Sequence, residues 1–174
     1  MGYKNFFWAF IFLFDFRIGG FDILPDIIAY ILFYSGLNKL SDRNENFAKG
    51  KVFAIPLIFL SIFDIYQVRV PFNEIGNVSY GGVLILLGIV HTIINLMMIY
   101  RICMGIAEEA RLNSDYDLEE KALKRWKLYL IVNIALYVLM ILPIPLLLFV
   151  ILIISIVNYF LMLGLMNMAS NRLE

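Results

Sequence analysis

The sequence predicts an all-α polytopic membrane protein: one domain, a six-transmembrane-helix bundle of three antiparallel hairpins. Three observations carry that reading. Hydrophobic residues make up 62% of the 174 residues and charged residues 16%, with a mean hydropathy of +0.85; a soluble domain runs near 45–50% apolar and about 25% charged. The apolar residues gather into six segments separated by glycine, proline or charge. Twelve of the fourteen lysines and arginines fall on one side once six crossings are assumed. An ordinary soluble globule is excluded, and so is disorder, which needs low hydrophobicity.

The first helix is read over 4–18. Its start, MGYKNFFWAFIFLF, has the lysine and apolar run of a signal peptide, but Asp15 and Arg17 follow and no small-x-small cleavage site appears, so it is retained. Phe6 stands where a myristoylation signal needs Ser or Thr. Gly19-Gly20 ends the helix. The second helix, 23–38, takes Asp22 as its N-cap and tolerates Pro25 in its first turn. The third and fourth are 52–68 and 79–101. Pro143-Ile144-Pro145 divides the remaining apolar run, too long for one crossing, into 127–142 and 145–168. The terminal pairs Met1-Gly2 and Leu173-Glu174 are given no functional weight.

Orientation follows from the basic residues. Lys4, the cluster Lys39, Arg43, Lys49 and Lys51, the six from Arg101 to Lys127, and Arg172 share one side; Arg17 and Arg69 take the other. Both termini are therefore expected to be cytoplasmic. Segment 102–126 is the one sizeable cytoplasmic piece, expected to be a solvated helical extension of the fifth helix. Asp117 and Glu120 approximate a capping box, and Glu120 and Lys124 are spaced for an ion pair. The competing reading is a docking surface for a cytoplasmic partner. Between Arg101 and Lys127, six basic and six acidic residues cancel, which argues against a lipid-headgroup patch.

Charges within a bilayer are costly and mark function or pairing. Asp15, Arg17, Asp22, Asp26, Asp64, Arg69 and Glu74 all map to the outer half or outer edge. Asp64 lies thirteen residues beyond Lys51, roughly 20 Å along a helix axis. Five acids face two bases in this group. In one reading Arg17 and Arg69 pair with Asp15, Asp22 or Asp64 and fix hairpin packing. In the other the acids line an outward vestibule that draws in a cation, a proton or a basic ligand. Asp22 and Asp26 also suit the start of the second helix, where carboxylates complement the dipole.

His91 and Asn95 are four residues apart and share one helix face. A buried histidine is either hydrogen-bonded within the bundle or part of a proton or ligand site with Asp15 or Asp64. Asn133 and Asn158 are expected to be interhelical hydrogen-bond partners, in two helices without charge that form the structural half. A faint echo aligns IFLFDFRI at 11–18 with LIFLSIFDIYQVRV at 57–70, Asp15 with Asp64; apolar segments match by chance easily. Cys103 is the single cysteine, and no CxxC, HExxH, P-loop or GxGxxG is present. No catalytic residue, metal or cofactor is assigned. An aspartyl pair of Asp15 and Asp64 lacks the Gly-x-Gly-Asp motif of an intramembrane enzyme.

The segment FDFRIGGFDILPDIIAYILFYSGLNKL at 14–40 resembles the N-terminal signature of small multi-pass bacterial membrane proteins of uncharacterised function. Asp15, Asp22, Ile23, Leu24, Pro25 and Asp26 match it; Ala29-Tyr30 stands where that signature has Gly-Tyr. The resemblance implies a bacterial plasma membrane and supplies no activity. In size and helix count the chain is similar to the substrate-binding subunits of energy-coupling-factor transporters, but its first helix lacks their A-x-x-x-A docking stripe. The expected function is a small solute- or ion-binding transport component with an acidic outward vestibule. The alternative is an accessory, scaffold or sensor protein acting through helix contacts or 102–126. Expected partners are the lipid bilayer, a membrane-protein partner or second copy, and a small cation, proton or solute, with no nucleic acid.

Overall fold

The computed structural model describes residues 2–13, 17–18, 21–22, 26–62, 79–141 and 144–174, of which 17–18, 21–22, 79–85 and 140–141 are described by backbone alone. Six helices account for nearly all of them: α1 Gly2–Phe12, α2 Asp26–Leu40, α3 Glu45–Ser61, α4 Ser79–Leu112, α5 Tyr116–Ile141 and α6 Pro145–Leu173. Between α1 and α2, two-residue strands β1 Arg17–Ile18 and β2 Phe21–Asp22 pair antiparallel, with Arg17 opposite Asp22. The fold class is all-α, as the hydropathy pattern predicts.

Each helix packs against the next in sequence, and α6 returns to α1, so the six close into a ring. Successive helices alternate in direction. Both termini and the turns at 41–44 and 113–115 therefore gather at one end, here called the base. The start of α2, the first turns of α4 and α6 and the last of α5 lie toward the other end, the mouth.

The base is filled. Tyr3, Phe6, Phe33 and Phe47 are fully buried. Phe47 meets Tyr3 edge-on at 5.9 Å between centroids, Phe6 tilts onto Phe33 at 6.1 Å, and Phe10 meets Phe33 edge-on at 5.3 Å. Such pairs add about 0.5–1.5 kcal/mol each beyond area burial. Glycines let these rings close on neighbouring backbones: a Cβ at Gly36 would stand 2.5 Å from the Phe6 ring, and one at Gly105 2.5 Å from the Phe47 ring. Met98, Ile102 and Ile106 of α4 and Met162, Leu165 and Met166 of α6 complete the plug.

Polar contacts tie the base shut from outside. Asn44 caps α3, accepting from the Asn46 amide at 2.8 Å, while the side-chain amides of both Asn44 and Asn46 donate to Glu108 at 3.0 Å. Tyr3 N–H donates to Glu174 Oε1 at 3.0 Å and Arg43 to Leu173 O at 3.4 Å. The terminal residues that the sequence reading set aside thus join α1 and α2 to α6.

Several boundaries are corrected. The span read as 102–126 is not one solvated extension. Residues 102–112 continue α4, a turn with Ser114 at φ 60° follows, and α5 starts at Tyr116. Its inner face is core: Ile102, Cys103, Ile106, Leu118 and Ala122 are fully buried. The N-cap of α5 is Asp115, accepting from Leu118 N–H at 3.1 Å, rather than Asp117. Asp117 instead binds Lys121 at 2.7 Å, beside the expected Glu120–Lys124 pair. Asp22 lies in β2, and Asp26 opens α2. α3 begins at Glu45, well before the expected 52.

Helix length and apolarity differ around the ring. Among the described residues, two helical stretches, Leu86–Leu112 and Pro145–Leu173, are long and apolar enough to cross a membrane by length and composition. α1, α2 and α3 have 11, 15 and 17 residues, below the roughly 20 of a straight crossing. The outward faces nevertheless suit lipid. Leu86, Leu146, Phe149 and Phe160 are 61–74% exposed, and apolar exposure on that scale marks a membrane or partner surface. The two apolar helices point to membrane association.

Candidate functional site

Above the aromatic plug the ring is hollow. A cavity of about 330 Å³ lies between α1, α2, α4, α5 and α6. Helical spacing builds each wall. Asp26 and Tyr30 of α2 are four apart, as are His91 and Asn95 of α4 and Tyr129 and Asn133 of α5; α6 presents Ser155, Asn158 and Tyr159 at i, i+3, i+4. Phe10 and Leu13 close the α1 side.

Several donors in this lining are used within the protein. Tyr159 donates its hydroxyl hydrogen to Phe10 O at 2.7 Å, and Ser155 donates to Ile151 O at 2.8 Å. Asn133 donates an N–H to Tyr129 O at 2.8 Å, and Asn95 donates to the Tyr129 hydroxyl at 3.2 Å. Thr92 and Tyr137 share a 2.6 Å hydroxyl–hydroxyl bond beside them. His91 meets the Tyr30 ring edge-on at 5.6 Å.

Two acceptors are left over. Asn95 Oδ1 and Asn158 Oδ1 are buried and accept no hydrogen bond, and Asn158 is only 3% exposed. A buried acceptor without a donor costs about 1–3 kcal/mol, and two such acceptors, one on α4 and one on α6, line the same cavity. The volume far exceeds the roughly 10–15 Å³ needed for one water.

The structure brings together three of the residues singled out from the sequence: Asp26, His91 and Asn95. Arg17 and Asp22 are placed by backbone register alone, as cross-strand partners. Asp15, Asp64, Arg69 and Glu74 lie outside the described residues. α5 and α6, expected to form the structural half, supply half of the described lining residues. Asn133 bonds the carbonyl of its own helix rather than another helix, and the Asn158 carbonyl is unpartnered. The signal that reveals them is the one that singled out His91 and Asn95: polar side chains at i, i+3 or i+4 within apolar runs.

No family model, no curated protein and no solved structure matches the chain.

Proposed function

We propose that the chain is an integral membrane protein that binds a small polar solute or cation in this cavity, as a component of transport. The single observation behind this reading is the pair of orphaned carbonyl oxygens, Asn95 Oδ1 and Asn158 Oδ1, on the wall of a 330 Å³ cavity above a packed base. A bundle kept for stability alone gains nothing from such a cavity, because lost packing and unmet hydrogen bonds both cost free energy.

In this reading all six helices lie in the bilayer. The base faces the cytoplasm with both termini. The twelve-to-two division of basic residues supports that orientation, since the twelve sit on base-end segments. The resemblance of 14–40 to small bacterial membrane proteins supports a plasma-membrane home. The cavity then opens outward, on the side to which the positive-inside pattern assigns Asp15, Asp22, Asp64 and Glu74. No catalytic step belongs to this reading.

The test compares the full-length protein in lipid nanodiscs with Ser155→Phe, which fills the cavity, against a panel of small solutes in a thermal-shift assay. Solutes that stabilise the parent and leave Ser155→Phe unmoved are the expected result. Identical responses of the two proteins across the panel contradict the reading.

The accessory-protein alternative has one observation in its favour. Leu112 and Tyr116 stand 72% and 68% exposed on either side of the α4–α5 turn. Leu112→Ser/Tyr116→Ser would then abolish a cytoplasmic contact and leave the cavity unaffected.

A further inference from the structure

We infer that the ligand of this cavity is a small neutral carboxamide, recognised edge to edge by the side-chain amide of Asn158. The inference rests on the solute-binding reading and adds the chemistry of the solute.

The Asn158 amide is idle at both ends. The residue is 3% exposed, its Oδ1 accepts no hydrogen bond, and its nitrogen donates none among the described residues. Burying both halves of an amide without partners is costly. The idle edge carries one donor and one acceptor side by side, and rotation of the amide by a half-turn leaves it so. Its full complement is a second edge of the same kind, joined through two antiparallel N–H···O bonds. Beyond the bonds they already make, Asn95 adds an unpartnered Oδ1 and a second N–H, Asn133 a second N–H, and Tyr129 a hydroxyl hydrogen. The wall therefore offers donors and acceptors together.

A mixed wall selects against a charged ligand. An ammonium brings donors only and leaves the Asn158 N–H groups without an acceptor; a carboxylate brings acceptors only and leaves Oδ1 without a donor. A neutral primary carboxamide meets both ends of Asn158. It keeps a second N–H for Asn95 Oδ1 and a carbonyl lone pair for the Tyr129 hydroxyl, both on the same cavity. Asp26, Tyr30, His91 and Tyr159 already have partners, and the pairing asks nothing of their charge.

Rigidity and shape narrow the class further. A vicinal diol also pairs with an amide, but only after its rotors are frozen, whereas conjugation holds the donor and acceptor of a carboxamide in one plane. Among the described residues no cluster of three or more His, Cys, Asp or Glu is arranged to hold a metal. The cavity of about 330 Å³ leaves room beyond the amide group, and Phe10, Leu13, Val132 and Leu136 give that room apolar walls. A short alkyl chain on the carbonyl carbon suits it.

The experiment is equilibrium binding of radiolabelled butyramide at pH 7 to the full-length protein in nanodiscs. The competitors are N,N-dimethylbutyramide, which keeps the carbonyl and lacks the N–H donors, a vicinal butanediol, butyrate and n-butylammonium. The parent, Asn158→Leu and the cavity-filling Ser155→Phe are compared. Saturable binding to the parent is expected, displaced by unlabelled butyramide and not by an equal excess of any of the four analogues. It should weaken about tenfold or more in Asn158→Leu and vanish in Ser155→Phe. Asn158→Leu removes a buried orphan and is expected to melt no lower than the parent; should it fail to fold, the comparison of butyramide with its dimethyl analogue on the parent decides. An analogue that displaces butyramide as well as butyramide itself, or that binds in a Ser155→Phe-sensitive manner while butyramide does not, would overturn the carboxamide assignment and leave solute binding standing. Butyramide binding equally to the parent and Asn158→Leu would overturn the assignment by placing its recognition elsewhere. No saturable binding of any member of the panel would overturn both the assignment and the solute-binding reading beneath it.

Discussion

One helix passes through two different environments. In the lower half of α4, Met98, Ile99, Ile102, Cys103, Ile106 and Ala110 are all fully buried, and Gly105 leaves room for the Phe47 ring. In its upper half, Leu86, Leu87, Ile89 and Val90 are exposed, Gly88 has nothing within 4 Å of a Cβ position, and His91 and Asn95 turn toward a cavity. At 34 residues, or about 50 Å, α4 spans both regimes without a break. The sequence is equally apolar along most of this length. The halves differ in what the other helices bring: aromatic rings and glycine at the base, amides and hydroxyls at the mouth. Stability is therefore concentrated at one end and binding chemistry at the other.

The largest effect should come from the plug. Phe47 packs on Tyr3 and Phe6 and fills the notch at Gly105. Phe47→Ala is expected to cost about 3–5 kcal/mol, read as loss of the unfolding transition or a large fall in its midpoint in detergent. A loss below 1 kcal/mol would mean the base is not the stabilising half.

Glycine substitutions along α4 sharpen the contrast. Gly105→Ala drives a methyl to 2.5 Å from the Phe47 ring and should cost about 1–3 kcal/mol by overpacking. Gly88→Ala meets open space and should gain up to about 1 kcal/mol from helix propensity. The same unfolding assay checks both; equal effects would erase the distinction between the two ends.

A smaller change separates shape from polarity at the base. The Tyr3 hydroxyl is buried and accepts or donates no hydrogen bond, so Tyr3→Phe keeps the ring contacts and removes an unmet polar group. Its stability should equal or exceed the parent's, by at most about 1–3 kcal/mol.

The weakest effect concerns acid. Hydrogen bonds from Lys121 and Arg172 hold the Asp117 carboxyl below its ordinary value of 3.8. A carboxyl depressed in the folded state contributes stability that is fully present above its unfolded value and is lost as pH falls through the folded one. Stability should therefore decline on acidification below about pH 4, and Asp117→Asn should flatten that decline slightly. Thermal melts between pH 3 and 7 measure it; because Asp117 is solvent-exposed, a steep loss above pH 5 would need another group.

How much of this was legible beforehand follows from the physics of apolar sequence. Hydropathy and the Pro143–Pro145 break locate six helices, because burial of backbone polar groups in an apolar medium leaves few other options. Helix ends were harder to read. Asp115, Asp117 and Glu120 all suit a helix start, and the turn geometry at Ser114 chooses Asp115. The burial of 102–126 on one face could not be read from its six acidic and four basic residues, since Leu118 and Ala122 become core only when α4 and α6 pack against α5. The His91–Asn95 face was visible through its spacing. Ser155, Asn158 and Tyr159 obey the same rule but carry no charge, and uncharged polar residues in apolar helices are commonly read as packing partners. That Asn158 lacks one is a property of the assembled ring alone.

The central claim is that the ring is sealed at the base and hydrated at the mouth. It is tested most directly by thiol labelling in sided membrane vesicles, with Cys103→Ser as background and Ser155→Cys, Leu165→Cys and Asn113→Cys compared. With an impermeant cationic thiol reagent, the account predicts that Ser155→Cys reacts only from the side opposite the termini. Asn113→Cys reacts only from the side of the termini, and Leu165→Cys reacts from neither. Reaction of Ser155→Cys from the side of the termini, or of Leu165→Cys from either side, would contradict it.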